Sequence, residues 1–109
     1  MSAGFVRIGD AAAVAPGTAK IVRVGRYEVA IFNVAGTFVA YENACPHQGG
    51  PIGEGFIEGA TVTCPWHAWC FDLYKGSLTI GDFARLTRFE TRVDDGGLHV
   101  ATEPSQDAA

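Results

Sequence analysis

Basic charge is scarce in this sequence of 109 residues, which has 8 Lys and Arg against 12 Asp and Glu and a formal net charge of −4. Proteins that bind nucleic acids usually carry a basic face, so this balance argues against a phosphate-binding function. Long apolar runs are also lacking, since none approaches the ~20 residues of a membrane-spanning helix. We therefore expect no nucleic-acid or membrane partner.

A secretory signal is missing as well, because the first four residues have neither its basic nor its apolar region. There are only three cysteines, and an odd number cannot all pair with one another. Both observations favour a reducing compartment and predict a cytoplasmic location. At least one cysteine needs an explanation other than a disulfide.

No stretch has the periodicity of a long amphipathic helix, and residues 11–15 allow one turn at most before Pro16-Gly17. Instead, 14 glycines separate short runs rich in Val, Ile, Phe, Thr and Tyr, a pattern typical of antiparallel strands and tight turns. The predicted fold is an all-β antiparallel sandwich or barrel, forming a single domain over residues 1–109. A meander is predicted over 21–24, 27–34 and 38–42. A later strand is predicted to bury Phe89, Thr91 and Val93 on one face, and residues 102–109 to form a frayed tail.

Residues 43–74 differ from the rest of the chain in being dense in Gly, Pro, Cys, His and Trp. Strand patterning persists there only around 56–57 and 61–63. Irregular stretches of this length inside a small domain are usually functional or disordered, and the aromatic content argues against disorder. We predict a lobe inserted between strands at roughly residues 43–76.

Two short blocks in this lobe, Cys45-Pro46-His47 and Cys64-Pro65-Trp66-His67, each pair one cysteine with one histidine. Thiolate and imidazole ligands suit zinc or iron–sulfur chemistry. The proline after each cysteine restricts the loop backbone and reduces the entropy lost when the ligands are arranged. A zinc finger would normally place its two cysteines together and its two histidines together, which is not the order seen here.

The order Cys-x-His then Cys-x-x-His resembles the Rieske family, in which two histidines replace two cysteines on one iron of a [2Fe–2S] cluster. The segments 45–52 and 64–73 are similar to the two cluster loops of soluble Rieske-type ferredoxins, which are single domains of about this length. The resemblance implies that Cys45 and Cys64 bind one iron and that His47 and His67 bind the other. It also implies one Rieske-type [2Fe–2S] cluster as the cofactor.

Further positions distinguish two branches of that family. High-potential members bridge the two loops with a second cysteine pair, and Ser and Tyr hydroxyls donate to cluster sulfur atoms. The corresponding positions here are Gly50 and Trp66 for the bridge, and Trp69 and Phe71 for the hydroxyl donors. The resemblance is therefore to the low-potential ferredoxin branch.

Two departures from the family pattern concern the surroundings of the cluster. Ala68 stands where glycine is usual, and residues 82–84 lack the prolines common in the loop that covers the cluster. Phe83 is expected to provide that cover. Neither departure removes a ligand.

Other candidate residues have simpler interpretations. Cys70 could be a redox-active thiol, but we interpret it as a small apolar residue without a ligand role. His99 is predicted to be an ordinary strand histidine. Trp66 and Trp69 are expected to shield the cluster from water rather than to conduct electrons. Between Asn43 and Tyr74 all charged side chains are acidic, either as a solvated face or as a docking surface; these are Glu54, Glu58 and Asp72.

The resemblance implies an electron-transfer ferredoxin that carries electrons from a flavoprotein reductase to a terminal oxygenase. The sequence offers no catalytic constellation, so we expect an electron carrier and not an enzyme. We expect it to act as a monomer. An alternative is the small Rieske subunit of a reductase complex, such as nitrite reductase. A third hypothesis, a zinc-stabilised interaction module, would use the same four side chains.

Overall fold

The computed structural model describes residues 4–44, 51–65, 69–79 and 85–105. Within these ranges it has ten strands and two short 3₁₀ turns, so the predicted all-β class is confirmed. The 3₁₀ turns are Ala11–Ala13 and Ile52–Glu54. The strands are β1 Phe5–Asp10, β2 Ala19–Val24, β3 Tyr27–Val34, β4 Thr37–Glu42, β5 Phe56–Glu58, β6 Thr61–Thr63, β7 Cys70–Asp72, β8 Arg88–Phe89, β9 Thr91–Asp94 and β10 Gly97–Ala101.

The central sheet has the strand order β2-β3-β4-β8 and contains the predicted meander. Strands β2 and β3 pair from Val24 opposite Tyr27, and β3 and β4 pair from Val34 opposite Thr37. The turns fall at residues 25–26 and 35–36, as predicted from their glycines. Short runs of strand-forming residues separated by glycine turns were therefore sufficient to predict this meander.

The central sheet separates two apolar cores. One face of β3 contributes Val29 and Ile31 to a core shared with Leu98 and Val100 of β10. The other face contributes Ala30, Phe32 and Val34 to a core that extends into the inserted lobe. Successive side chains of a strand point to opposite faces, so a strand that is buried on both faces needs a continuous apolar run. Residues 29–32 form such a run.

A second sheet, of order β1-β10-β9, covers the first of these cores. Strand β1 pairs antiparallel with β10, with Phe5 opposite Ala101, and the register shifts between Arg7 and Gly9. The beginning and the end of the described chain therefore lie side by side.

The lobe contains a third sheet, of order β5-β6-β7, which lies against the other core. Strands β5 and β6 match the patterning noted at 56–57 and 61–63. Strand β7 was not predicted, because a three-residue strand of sequence Cys-Phe-Asp has too little alternation to be distinguished from loop. On the inner face of this sheet, Val62 and Phe71 are fully buried.

A buried tyrosine connects the lobe to the central sheet. Tyr41 of β4 is fully buried, and its hydroxyl donates to the carbonyl of Leu73, just after β7. The ring also occupies the space beside Gly76, where an added Cβ would lie 2.9 Å from Tyr41 Cε1. The turn that follows β7 is thus fixed to the base of the molecule.

Two predictions for the C-terminal part were wrong. The strand predicted over 88–93 divides at Glu90: β8 pairs with β4, and β9 pairs with β10 in the other sheet. Strand β9 lies at the edge of that sheet, and Val93 is 51% exposed instead of buried. Residues 102–105 are not frayed, since the Thr102 amide donates to Gly4 O at 3.0 Å and the Ser105 amide donates to Arg88 O at 2.7 Å. Residues 106–109 lie outside the described ranges.

In the part of the chain that the structure describes, no helix is long and apolar enough to cross a membrane.

Replacing Gly76 with Ala tests the contact between the turn and Tyr41. The residue has φ +77°, so alanine adds the cost of a left-handed conformation, about 1–2 kcal/mol, to a clash with a ring that has no room to withdraw. Gly25→Ala is the matched control, because Gly25 has φ +61° and nothing within 4 Å of an added Cβ. We expect Gly76→Ala to lower the free energy of unfolding by at least ~1 kcal/mol more than Gly25→Ala, measured by denaturant unfolding. Equal losses in the two variants would contradict the tight packing described here.

Candidate metal centre

The predicted ligands fall on two segments of the lobe. Cys64 is the first residue after β6, and its side chain is 1% exposed. The other three, Cys45, His47 and His67, lie outside the described residues. The structure therefore gives the position of one predicted ligand and of the flanks of both ligand-bearing segments.

A backbone hydrogen bond closes the segment that begins at Cys64. Strands β6 and β7 form a hairpin whose last paired residues are Thr63 and Cys70. One step further, the Cys64 amide donates to the Trp69 carbonyl at 2.7 Å. In the sequence, only residues 65–68 separate these two positions, and His67 is among them.

The surroundings of Cys64 suit a metal-bound thiolate. Its side chain belongs to the apolar core that also contains Ile52, Val62 and Phe71. An ionised thiolate in such surroundings cannot be stabilised by water and needs a compensating positive charge. A soft metal centre supplies that charge.

Asn43 closes the other segment, the one that carries Cys45 and His47. It follows β4 directly and is 7% exposed. Its main-chain amide donates to the Glu28 carbonyl at 2.7 Å, and its side-chain Nδ2 donates to Glu28 Oε1 at 3.1 Å. Its Oδ1 accepts a hydrogen bond from the Gly53 amide at 2.6 Å. One side chain therefore ties both flanks of the segment to each other and to the start of β3.

Gly53 allows this segment to rest directly on the central sheet. An added Cβ would lie 2.8 Å from Ile21 Cγ1 and 2.9 Å from Ala30 Cβ, so only glycine fits. Neither Asn43 nor Gly53 was predicted from the sequence to have a role in the site. The sequence did contain a signal for Asn43, which is an asparagine at the end of a predicted strand and two residues before Cys45. Short amide side chains commonly form hydrogen bonds with nearby backbone groups at such places.

The flanks of the two segments lie side by side within the lobe. Ile52, near the end of the first segment, and Cys64, at the start of the second, share the same buried core. Between them, the backbone at Gly55 passes so close to the Thr63 carbonyl that a Cβ would collide with it. Adjacent flanks of this kind are what a centre shared between the two segments requires.

Two of the aromatic residues expected near the centre belong to, or pack against, the apolar core that contains Cys64. Phe71 is fully buried, opposite Val62 in the sheet and bridged to Leu78. Trp69 is half-buried against the same core, with its ring centroid 6.5 Å from that of Phe71. This position suits the shielding role predicted for Trp69. Trp66, Ala68, Gly50 and Phe83 lie outside the described residues.

The two remaining candidates have different surroundings. Cys70 is half-buried in β7, and its Sγ lies 3.2 Å from Thr63 Oγ1. His99 lies in β10, where it is paired with Arg7 of β1 and with Arg92 of β9. This sheet lies on the opposite side of the molecule from the lobe. His99 has no place in the candidate centre. Among the described residues, no three His, Cys, Asp or Glu side chains come together in a way that could hold another metal ion.

Comparison with known proteins gives a family for this fold and motif. A family model described as Rieske [2Fe-2S] domain matches residues 4–89. Ferredoxin CarAc of Metapseudomonas resinovorans is 31% identical over 101 residues, which are 91% of this chain and 94% of that protein. The 3-phenylpropionate/cinnamic acid dioxygenase ferredoxin subunit of Escherichia coli (strain K12) is 35% identical over 80 residues, 72% of this chain and 76% of that protein.

A longer relative matches over a smaller part of its length. The 4beta-methylsterol monooxygenase of Methylococcus capsulatus is 40% identical over 58 residues, which are 52% of this chain and 16% of that protein. The whole activity of that enzyme therefore cannot be transferred to this chain.

Solved structures agree with this assignment. A chain from the complex of reduced oxygenase and oxidized ferredoxin in carbazole 1,9a-dioxygenase superposes with a TM-score of 0.86 at 30% identity, covering 94% of this chain and 97% of that one. A chain from Mycobacterium tuberculosis assigned as the small subunit of an NADH-dependent nitrite reductase gives a TM-score of 0.82 at 22% identity, covering 93% and 96%. The second likeness concerns the fold alone.

Asn43→Ala tests the closure of the first segment. The variant leaves the part-buried Gly53 amide without its acceptor, which costs about 1–3 kcal/mol. Glu28→Gln is the control, because the amide oxygen of glutamine can still accept from Asn43 Nδ2 and should change the free energy of unfolding by less than ~0.5 kcal/mol. Denaturant unfolding of the purified proteins measures both. An Asn43→Ala variant as stable as the parent would contradict the role assigned to Asn43.

Proposed function

The chain belongs to the Rieske [2Fe–2S] family, and from this premise we propose that Cys45, His47, Cys64 and His67 bind its cluster. Its cofactor is a Rieske-type [2Fe–2S] cluster, with two thiolates on one iron and two imidazoles on the other. The burial of Cys64 and the adjacent flanks of the two segments support this ligand assignment.

The protein's own residues hold the ligands in place and exclude water. Asn43 closes one segment, the Cys64 amide closes the other, and Phe71 and Trp69 cover the apolar side. When bound, the cluster supplies one-electron redox chemistry, at a higher potential than a four-cysteine cluster because neutral imidazoles replace two thiolates. Ligands fixed before the electron arrives require little rearrangement when the charge changes.

The function that these features support best is electron transfer from a flavoprotein reductase to a terminal oxygenase. One observation carries this proposal: the chain matches ferredoxin CarAc, and a chain of the solved carbazole dioxygenase complex, along nearly their whole lengths. Because the relative matched along nearly its whole length is itself a ferredoxin, we include in the proposal that this chain acts as an electron carrier and not as an enzyme. We include in the proposal a monomeric state and a cytoplasmic location.

Two alternatives predict different observations. A small subunit of a nitrite reductase complex would co-purify with a large subunit, and the Mycobacterium tuberculosis structure shares the fold. A zinc-stabilised module would be colourless. Purification of the untagged protein from its own source, followed by reduction with candidate flavoprotein reductases, distinguishes the carrier from both: the carrier is isolated alone, is coloured, and passes electrons to an oxygenase.

Metal and sulfide analysis tests the cofactor and its ligands. We expect two irons and two acid-labile sulfides per chain, and loss of both in Cys45→Ser and Cys64→Ser, because a serine hydroxyl is a poor ligand for this centre. Cys70→Ser is the control and should retain the cluster, since Cys70 lies in β7 and outside the two motif blocks. One zinc and no sulfide would contradict the cofactor, and cluster loss in Cys70→Ser would contradict the ligand set.

The reduction potential tests the branch of the family. With Trp69 and Phe71 in place of hydroxyl donors, we expect a midpoint potential of about −150 mV, toward the low end of the Rieske range and far from its upper end near +300 mV. Phe71 and Cys64 share one buried core, so the hydroxyl introduced by Phe71→Tyr should raise the potential if it reaches a cluster sulfur atom. Phe71→Leu, which adds no hydrogen-bond donor, is the control. Protein-film voltammetry gives these values, and a parent potential above about +100 mV would refute the assignment.

A further inference from the structure

The lobe sheet β5-β6-β7 has one face that is not used by the core. Ile57, Val62 and Phe71 point inward, so by strand alternation their neighbours point outward. The register places these neighbours in two rows across the three strands, which we call the outer lobe face. They are Phe56, Thr63 and Cys70 in one row, and Glu58, Thr61 and Asp72 in the other.

Phe56 is the most exposed large apolar side chain among the described residues, at 67%, compared with 51% for Val93, 47% for Tyr74 and 39% for Val6. It lies on β5, which within the described chain pairs with β6 alone. An aromatic ring held in water by a rigid strand gains free energy when a partner covers it, and interface anchors are enriched in such rings.

The charges around Phe56 are acidic. Glu54 and Glu58 lie two residues before and two residues after it, and both are exposed. The Asp72 carboxylate differs, since its Oδ1 accepts from the amides of Tyr74 and Lys75. Within the described ranges the one salt bridge joins Arg7 to Asp10, so neither Glu54 nor Glu58 is neutralised by an ion pair there. The β5 side of the lobe therefore carries two exposed carboxylates.

This surface is also close to the proposed cluster. Phe56 is paired with Thr63, and the next residue after Thr63 is the ligand Cys64. Residues paired across an antiparallel ladder have Cα atoms about 4.5–5.5 Å apart. A protein seated on Phe56 would therefore be held within a few residues of the redox centre.

We propose that the outer lobe face, with Phe56 as its anchor and Glu54 and Glu58 as its rim, is the docking surface for an electron-transfer partner with an apolar recess surrounded by basic residues. This inference rests on the proposed electron-carrier function and specifies the chemistry of the partner. The rim attracts and orients the partner at long range, and the ring fixes it once water is excluded.

The test uses cytochrome c as the probe, because its haem edge is apolar and surrounded by lysines. The intact protein, with its cluster reduced, is mixed with ferric cytochrome c under conditions in which the rate depends on probe concentration. One electron passes from the cluster to the haem iron, and no bond forms or breaks. Phe56→Thr should lower the second-order rate constant about fivefold at all salt concentrations, while Phe56→Tyr should retain the parent rate.

Glu58→Gln should slow the reaction about twofold at low salt and have no effect near 1 M salt, where the Debye length is about 3 Å. Val93→Thr is the matched control, because it removes a similarly exposed apolar side chain from the sheet on the other side of the molecule. It should react at the parent rate. Threonine suits a β-strand in both variants, so strand stability is preserved.

The outcomes separate this inference from the proposed function. If the parent protein holds no reducible cluster, the electron-carrier function fails. If the parent is reduced and passes electrons, but Phe56→Thr reacts as fast as the parent or Val93→Thr slows equally, the docking surface is refuted while the electron-carrier function stands. Unchanged cluster absorption and midpoint potential in Phe56→Thr assign a slower rate to docking and not to the redox centre.

Discussion

Strand β3 is covered on both faces by apolar side chains, and the other parts of the molecule are arranged around this double burial. One set of its side chains packs toward the sheet formed by the two ends of the chain, and the other set packs toward the lobe. The single polar residue in its buried run, Asn33, is satisfied by the Val14 carbonyl and the Gly36 amide. A buried polar group without such partners would be costly, so these bonds make the continuous burial possible.

The candidate centre depends on β3 for its position. Asn43 ties the first ligand-bearing segment to Glu28 of this strand, and Gly53 lets the same segment lie against Ala30. Tyr41, from the neighbouring strand, fixes the far side of the lobe through Leu73. The irregular part of the chain is therefore attached at several points to the most rigid part, which is how a scaffold keeps functional loops in a defined geometry.

Much of this could be predicted from local patterns. The meander followed from alternation and glycine turns, and the family followed from the spacing and type of four residues, whose role as ligands stays a prediction. The division of the C-terminal strand at Glu90 could not be predicted, because the pattern from Arg88 to Val93 is the same whichever sheet each half joins. The role of Asn43 depends on a partner ten residues away and another fifteen residues away, and such contacts exist only once the chain has folded.

The pairing of β1 with β10 brings residues 4 and 102 within one hydrogen bond of each other, on the side of the central sheet that faces away from the lobe. A short peptide could join these positions, so the order in which the strands are synthesised could be changed by circular permutation without altering the lobe. The same geometry makes the fold suitable for insertion into a longer polypeptide, because both connections to the host leave from one place. Attached to an electrode through that place, the protein would turn the lobe sheet β5-β6-β7 away from the electrode.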